Sequence, residues 1–234
     1  MKLIYLILFF LLSTSSVNLS LQSPFSMRIV YESYNELSDS SFEGLDPAIA
    51  AKLSSVNQQI KRLYNYTWVE KTSKYALAPK NEQPELPASV QISGLGKGYT
   101  FMDFNNDKLI KYTKHDGHDV VVDDCLPVFD WILEDNQKEI LGYQCMSAYV
   151  LPKCYTKKVI DTIRVFFTPD IPVSGGPDIY AGLPGTILEL NTLSANSTRI
   201  VKAREISFNK STKDDVDFET PKKLKSKTYN ELCE

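Results

Sequence analysis

Short stretches in which every second residue is apolar occur along most of the chain. The clearest covers residues 162–167, where Ile163, Val165 and Phe167 fall on one side of an extended chain. A period of two is typical of a strand with one buried face. Patterns of the same kind predict further strands at 26–32, 66–75, 89–92, 98–104, 108–114, 127–133, 138–150, 186–190 and 198–208.

Two turns are predicted to join neighbouring strands into hairpins. Asn105, Asn106 and Asp107 tolerate the positive φ angles of a tight hairpin turn. Residues 134–137 lie between two other predicted strands in the same way. Many strands in hairpin order indicate an antiparallel sheet.

One long helix is predicted to begin at Asp46 and Pro47. Asp46 can accept hydrogen bonds from the first backbone N–H groups, and Pro47 has a φ angle suited to the first helical position. Apolar residues then recur every three or four positions, on one face of a helix of about four turns. They are Ile49, Leu53, Val56, Ile60 and Leu63. We expect this face to cover the sheet rather than a partner protein, so the predicted fold class is α+β, an antiparallel sheet packed on one long helix.

The first 22 residues have the pattern of a secretory signal peptide. Lys2 precedes an uninterrupted apolar run at 3–12, and small and polar residues follow at 13–23. A membrane-spanning helix needs roughly 20 apolar residues, which makes an uncleaved anchor the weaker alternative. We expect an exported protein, periplasmic or secreted, that does not span a membrane after cleavage. The predicted organisation is a signal peptide at 1–22, one α+β domain at 23–208 and a polar C-terminal tail at 209–234.

The composition narrows the classes of function. The chain has 26 Lys and Arg against 29 Asp and Glu, a net charge of −3. Proteins that bind nucleic acid usually present a basic face to the phosphates, so no nucleic-acid partner is expected. The two His, four Cys and two Trp leave few candidates for metal or nucleophilic chemistry. This composition favours a binding or structural role over catalysis and indicates no cofactor.

Export favours disulfides among the four cysteines. Cys125 and Cys145 both lie near the open end of the second predicted hairpin, so we expect a bridge between them and a second bridge from Cys154 to Cys233. Four cysteines allow three pairings, and free or metal-bound thiols are the alternatives.

A segment rich in proline and glycine, residues 169–190, lies between two predicted strands. Leu183, Pro184, Gly185 and Thr186 fit a type II turn, with Pro184 at its second position and Gly185 at its third. Gly182 is predicted to lie where another group packs too close for a side chain. The simplest interpretation of this segment is a rigid connector.

The sequence of this connector resembles a known family. The run 182–187, preceded by Gly176 and Pro177 and by the run 168–172, is similar to the signature of the GLPGLI family of exported Bacteroidetes proteins. Upstream, Trp131, the run 138–145 and Ala148 resemble that family's Trp, its Lys-x-Ile-x-Gly-Tyr-x-Cys and the Ala that follows.

The resemblance has two departures and modest implications. Thr186 stands where the family's name has Leu, and Phe166 and Phe167 stand where members commonly have Trp and Tyr. The resemblance implies an exported, β-rich protein without an assigned activity. The strand at 143–150, followed by an aromatic strand, is also similar to the half-barrel of periplasmic lipoprotein carriers, which implies a sheet curved around the helix.

Both histidines and several carboxylates gather in one short stretch, which makes a metal site an alternative hypothesis. His115 and His118 could ligate a divalent ion together with Asp116, Asp119, Asp123 or Asp124. The same residues are also typical of a hairpin turn around Asp116 and Gly117. The spacing of the histidines lacks the helix and the glutamate of a zinc protease.

The leading functional hypothesis is therefore a non-enzymatic exported protein that binds an apolar ligand, a peptide or an envelope partner. Six aromatic residues are the candidate lining of a cleft between sheet and helix, although any of them would equally suit a core. They are Tyr99, Phe101, Trp131, Tyr143, Phe166 and Phe167. The alternative is a metal-binding protein or metal-dependent hydrolase centred on His115 and His118.

Overall fold

Among the described residues, twelve strands form one sheet, which is mostly antiparallel. The computed structural model describes residues 25–85, 98–115, 117–151, 162–218, 224 and 226–228. The strands are β1 (Ser26–Leu37), β2 (Arg62–Val69), β3 (Thr72–Leu77), β4 (Tyr99–Asp103), β5 (Lys108–His115), β6 (His118–Asp124), β7 (Ile132–Ile140), β8 (Tyr143–Val150), β9 (Thr162–Thr168), β10 (Thr186–Leu193), β11 (Ser197–Phe208) and β12 (Ser226–Lys227). The predicted signal peptide and the predicted strand at 89–92 lie outside the described residues.

The sheet consists of two meanders that meet at the centre of the sheet, where β1 lies beside β11. The spatial order is β12-β6-β5-β4-β3-β2-β1-β11-β10-β9-β8-β7, so β1 and β11 bring together the two halves of the chain. β12 pairs with β6 in parallel, which makes the sheet a mixed one. The predicted alternation at 162–167 is confirmed in β9, where Ile163, Val165 and Phe167 are buried.

The helices correct the predicted fold class. α1 (Pro47–Gln59) begins where the sequence places it, since the Asp46 carboxylate accepts from the backbone N–H of Ala48 at 2.8 Å. However, Ile49 and Leu53 are 54% and 47% exposed, so the apolar face does not cover a core. The only other α-helix in the described ranges is the short α2 (Lys213–Val216). The prediction of an α+β fold packed on one long helix is therefore wrong: in the described part of the chain, a large open mixed sheet is accompanied by only two short α-helices. No described helix is both long and apolar enough to cross a bilayer.

Turns at unusual residues explain where the predicted strands differ from the observed ones. The hairpin at Asn105–Asp107 is confirmed between β4 and β5. The predicted strand at 66–75 is instead a hairpin, because Glu70 and Lys71 both adopt positive φ angles of 47° and 65°. Between β7 and β8 the turn is at Leu141 and Gly142, and the predicted turn at 134–137 is a bulge within β7. Glu, Lys and Leu rarely adopt positive φ, so these turns had no clear sequence signal.

The shifted turn also corrects the disulfide prediction. Cys145 pairs with Lys138 near the closed end of the β7–β8 hairpin, whereas Cys125 follows β6. Both are free thiols, Cys125 exposed and Cys145 buried, and burial raises the pKa of Cys145 to about 11. Cys154 and Cys233 lie outside the described residues.

The core lies on one face of the sheet, called here the inner face, and the connector 169–185 packs into it. Tyr31, Tyr66 and Phe167 are among its largest buried side chains. The Tyr31 hydroxyl donates to the Ile187 carbonyl at 2.5 Å, which ties β1 to the start of β10. The connector itself buries Ile171, Val173, Ile179 and Leu183. It therefore supplies the cover that the sequence assigned to the helix.

The motif resembling GLPGLI is a structural element of this connector. The Gly185 N–H donates to the Leu183 carbonyl at 2.8 Å, a three-residue turn, so the predicted type II turn is wrong. A Cβ on Gly182 would lie 3.7 Å from the Trp131 ring nitrogen, an ordinary contact, so its φ of +96° explains this glycine rather than crowding. The single proton of the buried Thr186 hydroxyl is shared between the Ile171 and Val173 carbonyls, which lie 3.2 and 3.0 Å away, an interaction that a Leu at this position would not make.

Asp178 anchors the connector to the other half of the sheet. Its carboxylate accepts from the Lys111 ammonium at 2.8 Å and from the Thr100 hydroxyl at 2.7 Å. Burial acts to raise the pKa of Asp178, but Lys111 and Thr100 outweigh it and hold the pKa below its ordinary range. A carboxyl whose pKa is lower in the folded state stabilises the fold above its unfolded pKa of about 4, and this contribution is lost as the pH falls through the folded pKa.

We expect Asp178→Asn to reduce stability at pH 7 and to make stability less sensitive to acid between about pH 5 and pH 2. Asn tolerates the φ of +58° that Asp178 adopts. Urea unfolding midpoints across this pH range measure the effect. Asp123→Asn is the control, because Asp123 forms a half-exposed ion pair with Lys108 at 3.3 Å, a kind of pair that contributes little. Equal acid sensitivity in Asp178→Asn and the unmodified protein would contradict the assignment.

Candidate functional site

The six aromatic residues predicted to bind a ligand do not line one cleft. Tyr99 and Phe101 lie on the face of the sheet opposite the core, called here the outer face, where they contact Phe218 with ring centroids 5.9 and 4.2 Å apart. Trp131 packs against Phe129 and Tyr180. Phe167 is buried in the core, Tyr143 packs at its edge, and Phe166 lies under the Lys138 ammonium.

The two histidines face each other across the end of the β5–β6 hairpin without gathering a ligand set. His115 pairs with His118, while Asp119 lies on the other face and its hydrogen bond raises the pKa of Tyr112. Within the described part of the chain, no three His, Cys, Asp or Glu side chains form a group suited to a metal ion. Asp116 lies outside the described residues.

A polar pocket of about 480 Å³ lies on the outer face instead. Strand pairing builds its floor from a row of polar side chains across β11, β1, β2 and β3. Ser207 is opposite Arg28, Arg28 is opposite Thr67, and Thr67 is opposite Lys74. Successive residues of a strand point to opposite faces of the sheet. The polar residues of this row therefore alternate along each strand with the core residues of the inner face.

A second row contains an acceptor without a partner. Asn65 lies beside Ala76 on β3, and its Oδ1 is buried without a hydrogen bond. Its Nδ2 donates to Glu82 at 3.4 Å, and Glu82 also pairs with Arg28 at 3.0 Å. Glu82 thus holds Asn65 and Arg28 of the lining in place, while the Asn65 oxygen has no hydrogen-bond partner among the described residues.

Residues 209–218, called here the C-terminal strap, form the opposite wall. The Ser211 N–H donates to the Ser26 hydroxyl at 3.2 Å, and Val216 is buried. The Lys74 ammonium donates to the backbone carbonyl of Asp217. The sequence predicted this segment as part of a polar tail, whereas it crosses the outer face and contributes Lys210, Ser211 and Asp215 to the pocket.

An aromatic surface continues both rows beyond β3. Phe101 is opposite Lys74, and Tyr99 is opposite both Ala76 and Tyr112. The Tyr99 and Tyr112 ring centroids are 5.9 Å apart. Two of the six aromatic residues predicted as ligand contacts thus border the pocket, although they do not line it.

A second pocket, of about 520 Å³, lies between α1 and β1, and its surface is polar and apolar in nearly equal parts. Its lining consists of Tyr34, Glu36, Leu37, Ser54, Asn57 and Lys61. Asn57 donates to the Asn35 carbonyl at 2.7 Å, and Lys61 pairs with Glu32 at 2.9 Å. This is where the sheet meets the helix, yet none of the six predicted aromatic residues contributes to it.

The residues of the outer-face pocket carried a weak signal in the sequence. Arg28, Asn65, Lys74 and Ser207 occupy the polar positions of alternating strands, and such positions normally face solvent. Arg28, Asn65 and Lys74 are brought together by the pairing of β1, β2 and β3, and Ser207 joins them only because β1 also pairs with β11, which is distant along the chain.

Comparison with known proteins finds a short match to one family model and a likeness of fold to solved structures. A family model described as "Protein of unknown function (Porph_ging)" matches residues 153–189. This match covers β9, the connector and the start of β10 among the described residues. No curated protein matches the chain.

Two solved structures, of PNGF-II in the C2 and P21 space groups, resemble the fold. Their TM-scores are 0.53 and 0.52, each at 16% sequence identity. The match covers 89% of this chain but only 32% and 33% of theirs, so this chain spans about a third of the structures that it matches. A likeness at this identity concerns the fold alone.

Proposed function

We propose that this chain is an exported, non-enzymatic binding protein of the bacterial envelope, and that the outer-face pocket holds a polar ligand. We also assign it to the GLPGLI family, since the matched region 153–189 contains the Gly-Leu-Pro-Gly run of the connector. The signal-like first 22 residues support export.

The unpartnered Asn65 oxygen is the observation that carries the proposal. Leaving a buried acceptor without a hydrogen bond costs about 1–3 kcal/mol, so an unpaired acceptor on a residue that lines a pocket favours a ligand that donates to it. The pocket volume lies in the range of small-molecule sites. Its lining is mainly polar, which supports a polar ligand rather than the apolar one expected from the aromatic content.

The lining favours binding over catalysis. It contains neither histidine nor cysteine. Of its two carboxylates, Asp215 is engaged in capping α2, where it accepts from the Thr212 N–H at 2.7 Å. Glu205 is the only other carboxylate among the lining residues.

Mass spectrometry of the natively exported protein tests the proposal. We expect a polar compound to co-purify, and Asn65→Leu to reduce its affinity at least tenfold, a loss of about 1.4 kcal/mol or more. Thermal stability should change little, because the variant also removes an unsatisfied acceptor.

Asn57→Leu is the matched control, since it alters an asparagine of the pocket between α1 and β1. It should leave binding unchanged. Binding that Asn57→Leu abolishes and Asn65→Leu preserves would overturn the proposed site.

A further inference from the structure

We infer that the ligand of the outer-face pocket is an uncharged saccharide. This inference rests on the proposed function and adds the chemical class of the ligand. It is carried by the balance of charges in the pocket, by its hydroxyl and amide groups and by the aromatic surface beside it.

The charges of the lining nearly cancel, and most of the charged groups already have an ion-pair or hydrogen-bond partner in the protein. Arg28, Lys74 and Lys210 are opposed by Glu205 and Asp215. Arg28 is paired with Glu82, and Lys74 donates to the strap. A phosphate or carboxylate ligand would need uncommitted cations converging on it, and a cationic ligand would need uncommitted carboxylates. Neither arrangement is present in the lining, so a neutral ligand fits best.

The remaining polar groups match a ligand that both donates and accepts hydrogen bonds. Asn65 offers an unsatisfied acceptor, while Thr67, Ser207 and Ser211 offer hydroxyl groups that act in either sense. A polyhydroxylated molecule has such groups on every edge. A peptide would also require apolar subsites for its side chains, and the lining provides only Ala76 and Leu77.

The aromatic surface suits the apolar face of a sugar ring. Tyr99 follows Ala76 in the second row of the pocket and is half-buried, with Tyr112 as its neighbour. The C–H face of a pyranose packs on an aromatic ring while its hydroxyl groups remain at the edge, and tyrosine combines such a ring with a polar end. Phe218 of the strap packs against one side of this ring, with centroids 5.9 Å apart, so a saccharide of more than one unit would occupy the pocket and reach only the part of Tyr99 that Phe218 leaves exposed.

Isothermal titration calorimetry with defined probes tests the inference. The probes are neutral mono- and trisaccharides of glucose, mannose, galactose and N-acetylglucosamine, inorganic phosphate, and a mixture of uncharged tripeptides. We expect at least one neutral trisaccharide to bind, Asn65→Leu to weaken it at least tenfold, and Asn57→Leu to leave it unchanged. Tyr99→Leu should weaken the trisaccharide more than the monosaccharide, with the fold of each variant checked by thermal unfolding.

The outcomes separate the class of ligand from the presence of a site. Failure of every neutral saccharide to bind, or binding that is insensitive to Asn65→Leu, overturns the saccharide assignment. Phosphate or peptide binding that is sensitive to Asn65→Leu also overturns it, yet supports the proposed function. A native ligand that co-purifies equally well with Asn65→Leu contradicts the proposed function itself.

Discussion

Replacing Gly185 with alanine is expected to destabilise the protein by about 3–5 kcal/mol, enough to unfold many domains of this size. The added Cβ would overlap the Thr168 carbonyl oxygen and lie only 2.6 Å from its carbonyl carbon. Thr168 is fully buried at the end of β9 and pairs with Thr186 of β10, so its backbone has no room to move. Overpacking and the positive φ of Gly185 each contribute to this cost. Urea denaturation followed by circular dichroism measures the effect.

Gly142→Ala provides the comparison for Gly185→Ala. Gly142 also has a positive φ, of +83°, but an added Cβ there would have no other atom within 4 Å beyond its chain neighbours. Its replacement should therefore lower the free energy of unfolding by only about 1–2 kcal/mol, the cost of placing a residue with a Cβ at a positive φ angle. If both variants lose the same stability, crowding against Thr168 is not the reason for Gly185.

Gly175→Ala is expected to cost about 2–3 kcal/mol and to be partly rescued by Tyr66→Phe. An added Cβ on Gly175 would overlap the Tyr66 hydroxyl, and Tyr66 is fully buried in the core. Without that hydroxyl, the nearest ring atom would lie 3.3 Å away, which a small adjustment accommodates. The Tyr66 hydroxyl lacks a well-formed hydrogen bond, so Tyr66→Phe alone should change stability by less than about 1 kcal/mol.

A double-mutant cycle by chemical denaturation measures this coupling. We expect the loss of unfolding free energy in the double variant to be smaller, by at least about 1 kcal/mol, than the sum of the losses in the two single variants. The same cycle with Tyr75→Phe is the control, because Tyr75 also buries an unpaired hydroxyl but is not among the atoms nearest Gly175. If the losses of stability caused by Gly175→Ala and Tyr66→Phe simply add, β2 approaches the connector less closely than the geometry indicates.

These glycines place the GLPGLI-like motif in the architecture rather than in the proposed binding site. The connector is packed against the inner face, whereas the pocket opens on the outer face of β1, β2, β3 and β11. The Ile187 N–H donates to the Gly175 carbonyl at 2.9 Å, so the middle of the connector is hydrogen-bonded to the start of β10. We therefore expect variants of the motif to affect stability first and ligand binding only through it.

Local signals in the sequence determined individual elements. The alternation at 162–167 predicted β9, Asn105–Asp107 predicted a hairpin, and Asp46 with Pro47 predicted the start of α1. Each depends on the preferences of a few neighbouring residues, which act whatever the rest of the chain does. Where the local preference was weak, as at Glu70 and Lys71, the prediction placed one strand across a turn.

Only the tertiary structure decided what these elements pack against. The apolar stripe of α1 predicted a buried face, but the connector fills the core, and Ile49 and Leu53 are left exposed. The pairing of β1 with β2 on one side and with β11 on the other brings together Arg28, Thr67 and Ser207, which no local pattern relates. The sequence by itself therefore determined an alternating, strand-rich chain with its caps and some of its turns. The order of the strands, the free cysteines and the polar pocket depend on contacts between distant segments, whose free energies are settled only when the whole core is packed.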